Sequence, residues 1–259
     1  MKSAITLTFH KVKTAMGTSK SKAIPLLDRY AINYDFFQQL VDIIHAERCC
    51  TISEYLKKKD CNWLILTFDD GFLSDYEIVF PILKTKGIKA TFFINERNIG
   101  LPGYLELSHL KEMAKDGMEI GSHGLTHRYL ITMDKIEVIR EIEESKEKLE
   151  QKIGVEVKSF APVGGHYKNW MKIIAYEKGY NVFATMIPGK TKGGGDFIIF
   201  RRNQIKCSHN IKYVFKLINS DYRTLLLNRL RYNLLRITKT ILGINNYDLI
   251  KNFMLTKNY

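Results

Sequence analysis

The chain has 259 residues, 45% of them hydrophobic, which excludes a disordered polypeptide and leaves room for one barrel-sized domain or two small ones. No window approaches the ~20 apolar residues that a membrane-spanning helix needs, and the opening MKSAITLTFHKV is broken by His10 and Lys11, so no signal peptide is expected. The net charge of +13 is uneven: residues 201–259 carry +10 of it, so a near-neutral body is expected to bear a basic tail.

The elements alternate. Ile5–Phe9 reads as a strand. Tyr34–Glu47 reads as a helix with Phe37, Leu40, Val41 and Ile44 on one face. Cys49, Cys50, Cys61 and Cys207 form no C-x-x-C pair and read as reduced thiols, in keeping with a cytoplasmic home. Trp63–Phe68 is a buried strand, Ser74–Lys86 a helix stopped by Gly87, and Lys89–Ile94 a further strand. Leu107–Asp116 is helical, and Met118–Gly121 is a short strand. Asp134–Ile153 is the clearest helix: Asp134 caps it, Glu137 completes a capping box and Gly154 ends it. Its expected apolar seam is Ile136, Ile139, Ile142, Leu149 and Ile153. Ser159–Ala161, Asn181–Ala184 and Phe197–Phe200 are strands, with a helix over Lys168–Lys178. Strand–helix alternation of this kind predicts an α/β fold with a largely parallel sheet, of a length suited to a barrel.

The pattern changes after Arg201. Leu227, Leu230, Leu234, Ile237 and Ile241 follow a 3-4-3-4 spacing, the mark of one apolar helix face. Arg223, Arg229, Arg231, Arg236 and Lys239 make the rest basic. The expectation is that the seam packs on the body and leaves Arg229, Arg231, Arg236 and Lys239 outside, able to meet an anionic membrane. A short helix is expected over Asn246–Leu255. The organisation is therefore residues 1–205 as the barrel and 206–259 as a basic helical extension.

Two clusters carry chemistry. In Thr67-Phe68-Asp69-Asp70-Gly71, two carboxylates follow an apolar strand and a glycine turns the chain away. Strand neighbours point to opposite sides, but a turn can bring both into one pocket, one as a metal ligand and the other as a base. Alone, Asp-Asp-Gly marks only a turn. In Ser122-His123-Gly124-Leu125-Thr126-His127, two histidines four apart have a spacing suited to chelation. One Asp and two His give three ligands with open positions left for water and substrate, the pattern of a catalytic metal site. All of them sit at strand ends, where α/β folds place their active sites.

The order strand–TFDDG–helix–strand TFF–GMEIGSHGLTH–long helix resembles the polysaccharide deacetylase (NodB-homology) family over roughly residues 4–205. The resemblance implies a distorted (β/α)7-type barrel, to which the C-terminal basic helices are an appendix. It implies one divalent metal ion, usually Zn²⁺, on Asp70, His123 and His127, with Asp69 as the general base. Two departures stand out. In Phe160-Ala161-Pro162-Val163-Gly164-Gly165-His166-Tyr167, Ala161 occupies the position of the family's Arg. Arg202 is the candidate substitute, ahead of Arg201. The usual C-terminal histidine strand is also missing, and Cys207-Ser208-His209 does not resemble it. Instead Leu7-Thr8-Phe9-His10-Lys11-Val12 resembles the strand that opens a permuted branch, which would make His10 the general acid. Backbone groups near Gly164, Gly165 and Tyr167 would steady substrate and oxyanion.

The implied function is removal of N-acetyl groups from an amino sugar in a glycan, or in a lipid- or nucleotide-linked precursor. Hydrolysis of another C–N amide, such as a sugar formamide, is the alternative within the same chemistry. A non-catalytic glycan- or membrane-binding relative is the alternative outside it. The basic tail implies peripheral contact with the inner face of a membrane. The absence of a zinc finger, RNP or helix-turn-helix signature makes nucleic acid an unexpected partner.

Overall fold

Eight short strands run side by side along one curved sheet, and all of them are parallel. The computed structural model of the chain describes residues 2–13, 29–58 and 61–243. The strands are β1 (Ser3–Phe9), β4 (Asn62–Asp70), β5 (Thr91–Ile94), β6 (Glu119–Ser122), β7 (Ser159–Phe160), β8 (Val182–Thr185), β10 (Ile198–Arg201) and β11 (Asn203–Gln204), in the spatial order β10-β8-β7-β6-β5-β4-β1-β11. β10 and β11 lie at opposite ends of this path, yet Arg202 alone separates them in the chain. The backbone thus joins the two edges itself, and the sheet is a nearly closed barrel. A short strand, β9 (Lys190–Lys192), pairs antiparallel with Ser3–Ile5 of β1, while β11 covers Leu7 and Thr8 of the same edge. β2 (Lys11–Lys13) and β3 (Ala31–Asn33) form a separate parallel pair.

Strand alternation sorts the core into two layers. Phe9, Phe68 and Phe92 are register neighbours on β1, β4 and β5 and stack at 5.2 and 5.0 Å between centroids. They face outward and meet Phe37 of α1 (Tyr34–Asp42), in the layer under the helices. The intervening residues Ala4, Ile65, Phe93, Val182 and Ala184 pack in the lumen. Thr67 and Asp69 share the parity of Ile65, so Asp69 belongs to the lumen at the C-terminal mouth. Asp70 has the opposite parity, and alternation alone would bury it beneath the helices.

The remaining helices are α2 (Ile52–Lys57), α3 (Phe80–Thr85), α4 (Leu107–Lys115), α5 (Lys135–Ile153), α6 (Asn169–Glu177), α7 (Ile211–Ile218) and α8 (Tyr222–Leu242). Two expected helices are shorter than read. Tyr34–Glu47 ends at Asp42 and is followed by a 3-10 turn over Ala46–Arg48. Ser74–Lys86 is split into a π-type turn, Asp75–Val79, and α3. Pro81 explains the split: it has no N–H for an i→i−4 bond and its ring crowds the carbonyl one turn back.

The seam of α5 matches expectation at Ile142, Leu149 and Ile153, but Ile136 is exposed and Ile139 half-buried, and the buried face runs also through Val138, Glu141 and Ser145. Two polar residues thus sit on the buried side, and both have work at the site.

The largest correction concerns α8. Leu227, Leu230, Leu234, Ile237 and Ile241 are 64%, 56%, 65%, 54% and 76% exposed. The expected seam does not pack on the barrel; it faces away from it. Leu225 instead reaches the core, and Asn228 donates to the Tyr213 hydroxyl of α7 at 2.7 Å. Of the basic residues expected outside, Arg231 and Arg236 are exposed and Arg229 and Lys239 half-buried, and Arg231, Arg236 and Lys239 line the pocket at the barrel mouth. An amphipathic spacing shows that a helix has two faces, but which face meets the body depends on what the body offers. Here it offers a polar mouth. Burying one Leu or Ile is worth about 1.5–3 kcal/mol, so the orientation leaves substantial stabilisation unused. The helix expected over Asn246–Leu255 lies outside the described residues.

Candidate active site

The deciding device is a backbone angle. Asp70 has φ +79° and His127 has φ +59°, two of the three non-glycine residues with positive φ among the described residues. Such conformations cost energy and persist where the surroundings enforce them. At Asp70 the left-handed turn, continued by Gly71 at φ +71°, swings the side chain from the helix layer back to the mouth. Both carboxylates therefore enter one pocket despite strand alternation.

Asp70 Oδ1 lies 2.9 Å from His127 Nε2 and 3.4 Å from His123 Nε2. The three ligand atoms are within 4.8 Å of one another. His123 Nδ1 is 2.7 Å from the Ala161 carbonyl oxygen, which only accepts, so Nδ1 carries a proton and Nε2 is the nitrogen turned to the centre. Ala161 thus orients the histidine through its backbone carbonyl. Burial alone would raise the Asp70 pKa, but hydrogen bonds from His123 and His127 and the nearby His10 charge hold it well below the carboxylate range. Burial alone would lower that of His123, but Asp70 and Asp69 outweigh it and hold the imidazole above its ordinary value. The two nitrogens and one oxygen suit a divalent ion of the zinc type, with positions left open.

Asp69 is paired separately. Arg202 Nη1 donates to Asp69 Oδ1 at 2.6 Å, with both side chains almost fully buried. Arg202 Nε donates to the Thr185 carbonyl, and its guanidinium lies 5.0 Å over the Phe93 ring. The residue that closes the barrel therefore also grips the carboxylate. Arg201, the other candidate, is exposed and makes no such pair. His10 follows Phe9, whose register partner is Phe68, so it stands level with Asp69 at the same mouth. Its ring stacks on Tyr30 at 5.1 Å, and Nδ1 is buried without a hydrogen-bond partner. His10, Asp69, Asp70, His123 and His127 all line one cleft of about 700 Å³.

Gly164, Gly165 and Tyr167 line the same cleft. Gly165 has φ +69°, and a Cβ there would lie 2.5 Å from Met186 Cγ, so the turn needs glycine. The N–H groups of Gly165 and His166 donate to the Pro162 and Val163 carbonyls, at 2.9 and 3.4 Å, because the segment closes into a tight turn, so the Gly165 N–H is engaged within the turn and is not the oxyanion donor expected of it.

Several residues of the site escaped the sequence reading. Glu141 of α5 is 5% exposed and accepts from the Leu125 and Thr126 N–H groups at 2.8 and 3.0 Å, and from the Thr126 hydroxyl. It braces the loop that carries both histidines. Ser145 accepts from Ser122, which in turn accepts from the Gly124 N–H. Asp75 is fully buried with neither carboxylate oxygen partnered, and burial, with the charges of Asp70 and Asp69, pushes its pKa well above the carboxylate range. It lies close enough to both site carboxylates to feel their charges.

Residues 56–183 match the sequence pattern of the polysaccharide deacetylase family, and that segment holds four of the five titratable residues gathered above. Residues 56–183 are of the polysaccharide deacetylase family. Among relatives, it is 31% identical to the Bacillus subtilis protein YxkH, which carries a polysaccharide deacetylase name, over 51% of this chain and 48% of that one. It is 40% identical to a chitin deacetylase of Pestalotiopsis sp over 28% of this chain and 24% of that one. The match thus spans about half the length of the first relative and about a quarter of the second. Two solved structures share the fold. The Streptococcus pyogenes deacetylase PplD, solved with acetate, superposes with a TM-score of 0.72 at 21% identity, over 83% of this chain and 98% of that one. A Bacillus cereus polysaccharide deacetylase gives 0.71 at 23%, over 83% and 69%. The shared fold therefore extends beyond the matched segment.

Proposed function

We propose that the chain is a metal-dependent hydrolase that removes N-acetyl groups from an amino sugar of a glycan or glycan precursor. The observation that carries this reading is the convergence of Asp70, His123 and His127 beside the buried Asp69–Arg202 pair in one open cleft. A bound Zn²⁺ would polarise the acetamide carbonyl and lower the pKa of the attacking water. Asp69 has Oδ1 fixed by Arg202, which leaves its other oxygen to accept the proton of that water. The C–N bond then breaks as His10, across the strand register from Asp69, gives a proton to the leaving amine. The products are acetate and a free amino sugar.

The proposal includes where the protein works. The free thiols of Cys49 and Cys50 are buried and pushed up to about 12, chiefly by burial, which suits a reducing compartment. The outward apolar stripe of α8, with Arg223 exposed beside it, supports peripheral contact with the anionic inner face of a membrane. Among the described residues no helix is long and apolar enough to cross one.

Mass spectrometry of acetamido and formamido sugars after incubation with the zinc-loaded chain is the test. Acetate, with the matching free amine, is the expected product. Formate would move the reaction to the alternative amide, and no acid from any sugar would overturn the hydrolase reading.

A further inference from the structure

The cleft is electrostatically lopsided. Among the described residues, Asp69 and Asp70 are its only carboxylates, and both are engaged: Asp69 by Arg202, Asp70 by the two histidines. The opposite wall carries Arg29, Lys206, Arg231, Arg236 and Lys239, drawn from the loop before β3, the loop after β11 and helix α8. A divalent ion on the histidine side would add to the positive balance.

His209 registers the field of this wall. It lines the cleft, and its Nδ1 accepts the Lys206 N–H at 3.3 Å, which requires that nitrogen to be unprotonated. Burial, with the charges of Lys206, Arg231 and Arg29, pushes its pKa down to about 4. The orientation of α8 points the same way. The helix turns Arg231, Arg236 and Lys239 to the cleft and leaves its leucine stripe in solvent, the reverse of what burial favours. A cationic wall held at that cost has a use inside the cleft. Tyr129, Tyr167, Tyr213 and Tyr232 are interleaved with the charges and offer flat faces for a sugar ring.

We propose that this wall binds an anionic group carried by the acetamido sugar, a phosphate ester or a carboxylate, so that the preferred substrate is a charged sugar and not a neutral glycan. The inference rests on the hydrolase reading for its acetamido half. Its anion half stands on the wall alone. Arginine suits this task because its planar fork grips both phosphate and carboxylate through two bonds.

Titration calorimetry with N-acetylglucosamine 1-phosphate, N-acetylmuramic acid and N-acetylglucosamine separates the two sources of charge from the neutral parent. One charged sugar should bind at least about tenfold more tightly than N-acetylglucosamine, an advantage that shrinks as salt shortens the screening length. Arg231→Gln/Arg236→Gln should remove most of the advantage, and Arg231→Lys/Arg236→Lys should restore part of it. Proton NMR of His209 provides a readout independent of metal and turnover: its titration should move up when the charged sugar binds. Equal affinity for all three sugars, or an advantage that survives the double Gln variant, overturns the proposal. Acid release from the same sugars is followed in parallel. Anion preference without release of acid would remove the hydrolase reading and leave the anion site. Release from all three at similar efficiency would do the opposite.

Discussion

The two walls of the cleft are built to different standards. On the strand-end wall Asp69, Asp70, His123 and Arg202 are nearly buried, and each is tied to a named partner. On the helix wall Arg231 and Arg236 are exposed and Lys239 is half-buried, all on long side chains. Fixed geometry is what chemistry requires, because a reacting group misplaced by an ångström loses much of its effect. Recognition of a charge tolerates reach and adjustment, because Coulomb attraction falls off slowly and has no sharp angle. The cleft thus pairs a rigid half with an adaptable half, and the two should fail differently when damaged.

The sharpest test of the rigid half is removal of a ligand. His123→Ala and His127→Ala should each abolish tight zinc binding, read by elemental analysis after dialysis, with loss of acid release. Unchanged metal content in both would break the assignment. Protonation adds a signature. In the metal-free chain burial works to lower the His123 pKa, but Asp70, 3.4 Å from Nε2, and Asp69 raise it above its ordinary value. Its contribution to metal-free stability is therefore full below its unfolded value of roughly 6.5 and is lost as pH rises through the higher folded value. Metal binding must displace that proton, so the ion should stabilise with the opposite pH slope. Calorimetry in two buffers of different ionisation heat counts the protons, and their number should fall toward alkaline pH.

Asp69→Asn should keep the metal and lower turnover by about 10²–10⁴-fold, the usual range for a general base. Arg202→Ala attacks the same pair from the other side. It leaves a buried carboxylate alone, a defect of about 3–5 kcal/mol in comparable pairs, so urea midpoints should fall well beyond the Asp69→Asn change. An Arg202→Ala chain that keeps its urea midpoint would mean that Arg202 is not what holds Asp69.

Glu141→Gln should have a smaller effect. It removes the charge that braces Leu125 and Thr126 between the two histidines. Outer partners of metal ligands typically account for about 10–100-fold in affinity or activity. Zinc affinity should therefore drop within that range while the barrel keeps its unfolding midpoint to within a few degrees. An unaffected zinc affinity would make the loop self-supporting.

The contrast between the walls also explains what the sequence could convey. Thr67–Gly71 and Ser122–His127 are local patterns whose residues stay together whatever the barrel does, so the rigid half was readable. Arg202 was readable because it ends a strand of visible β character. Glu141 was not, although it left a signal. Counting only isoleucines and leucines found Ile142, Leu149 and Ile153 of the buried α5 stripe but added Ile136 and Ile139 and left out Glu141 and Ser145. A polar residue falling on a buried stripe marks a job. The π-type turn before Pro81 was likewise legible from the proline itself. The stripe of α8 was read onto the barrel because periodicity fixes the separation of two faces and nothing about their partners.

The smallest expected effect tests that reversal directly. Leu230, Leu234 and Ile237 are each more than half exposed, so Leu230→Gln/Leu234→Gln/Ile237→Gln should remove little buried area. Surface substitutions of this kind usually stay within about 0.5 kcal/mol each, so the thermal midpoint should move by no more than a few degrees. Had the stripe packed on the barrel, three large-to-polar changes in a core would unfold the extension outright. Sedimentation with anionic vesicles supplies the second half of the test. Interfacial helices bind through apolar area together with attraction to anionic lipid. The parent chain should therefore sediment at low salt, less so at high salt, and the triple variant should stay in the supernatant under both. A stable variant that still sediments would assign membrane contact to charge alone and leave the stripe without a role. A variant that loses its fold would show that something in solution covers the stripe, and the outward face of α8 would have to be redrawn.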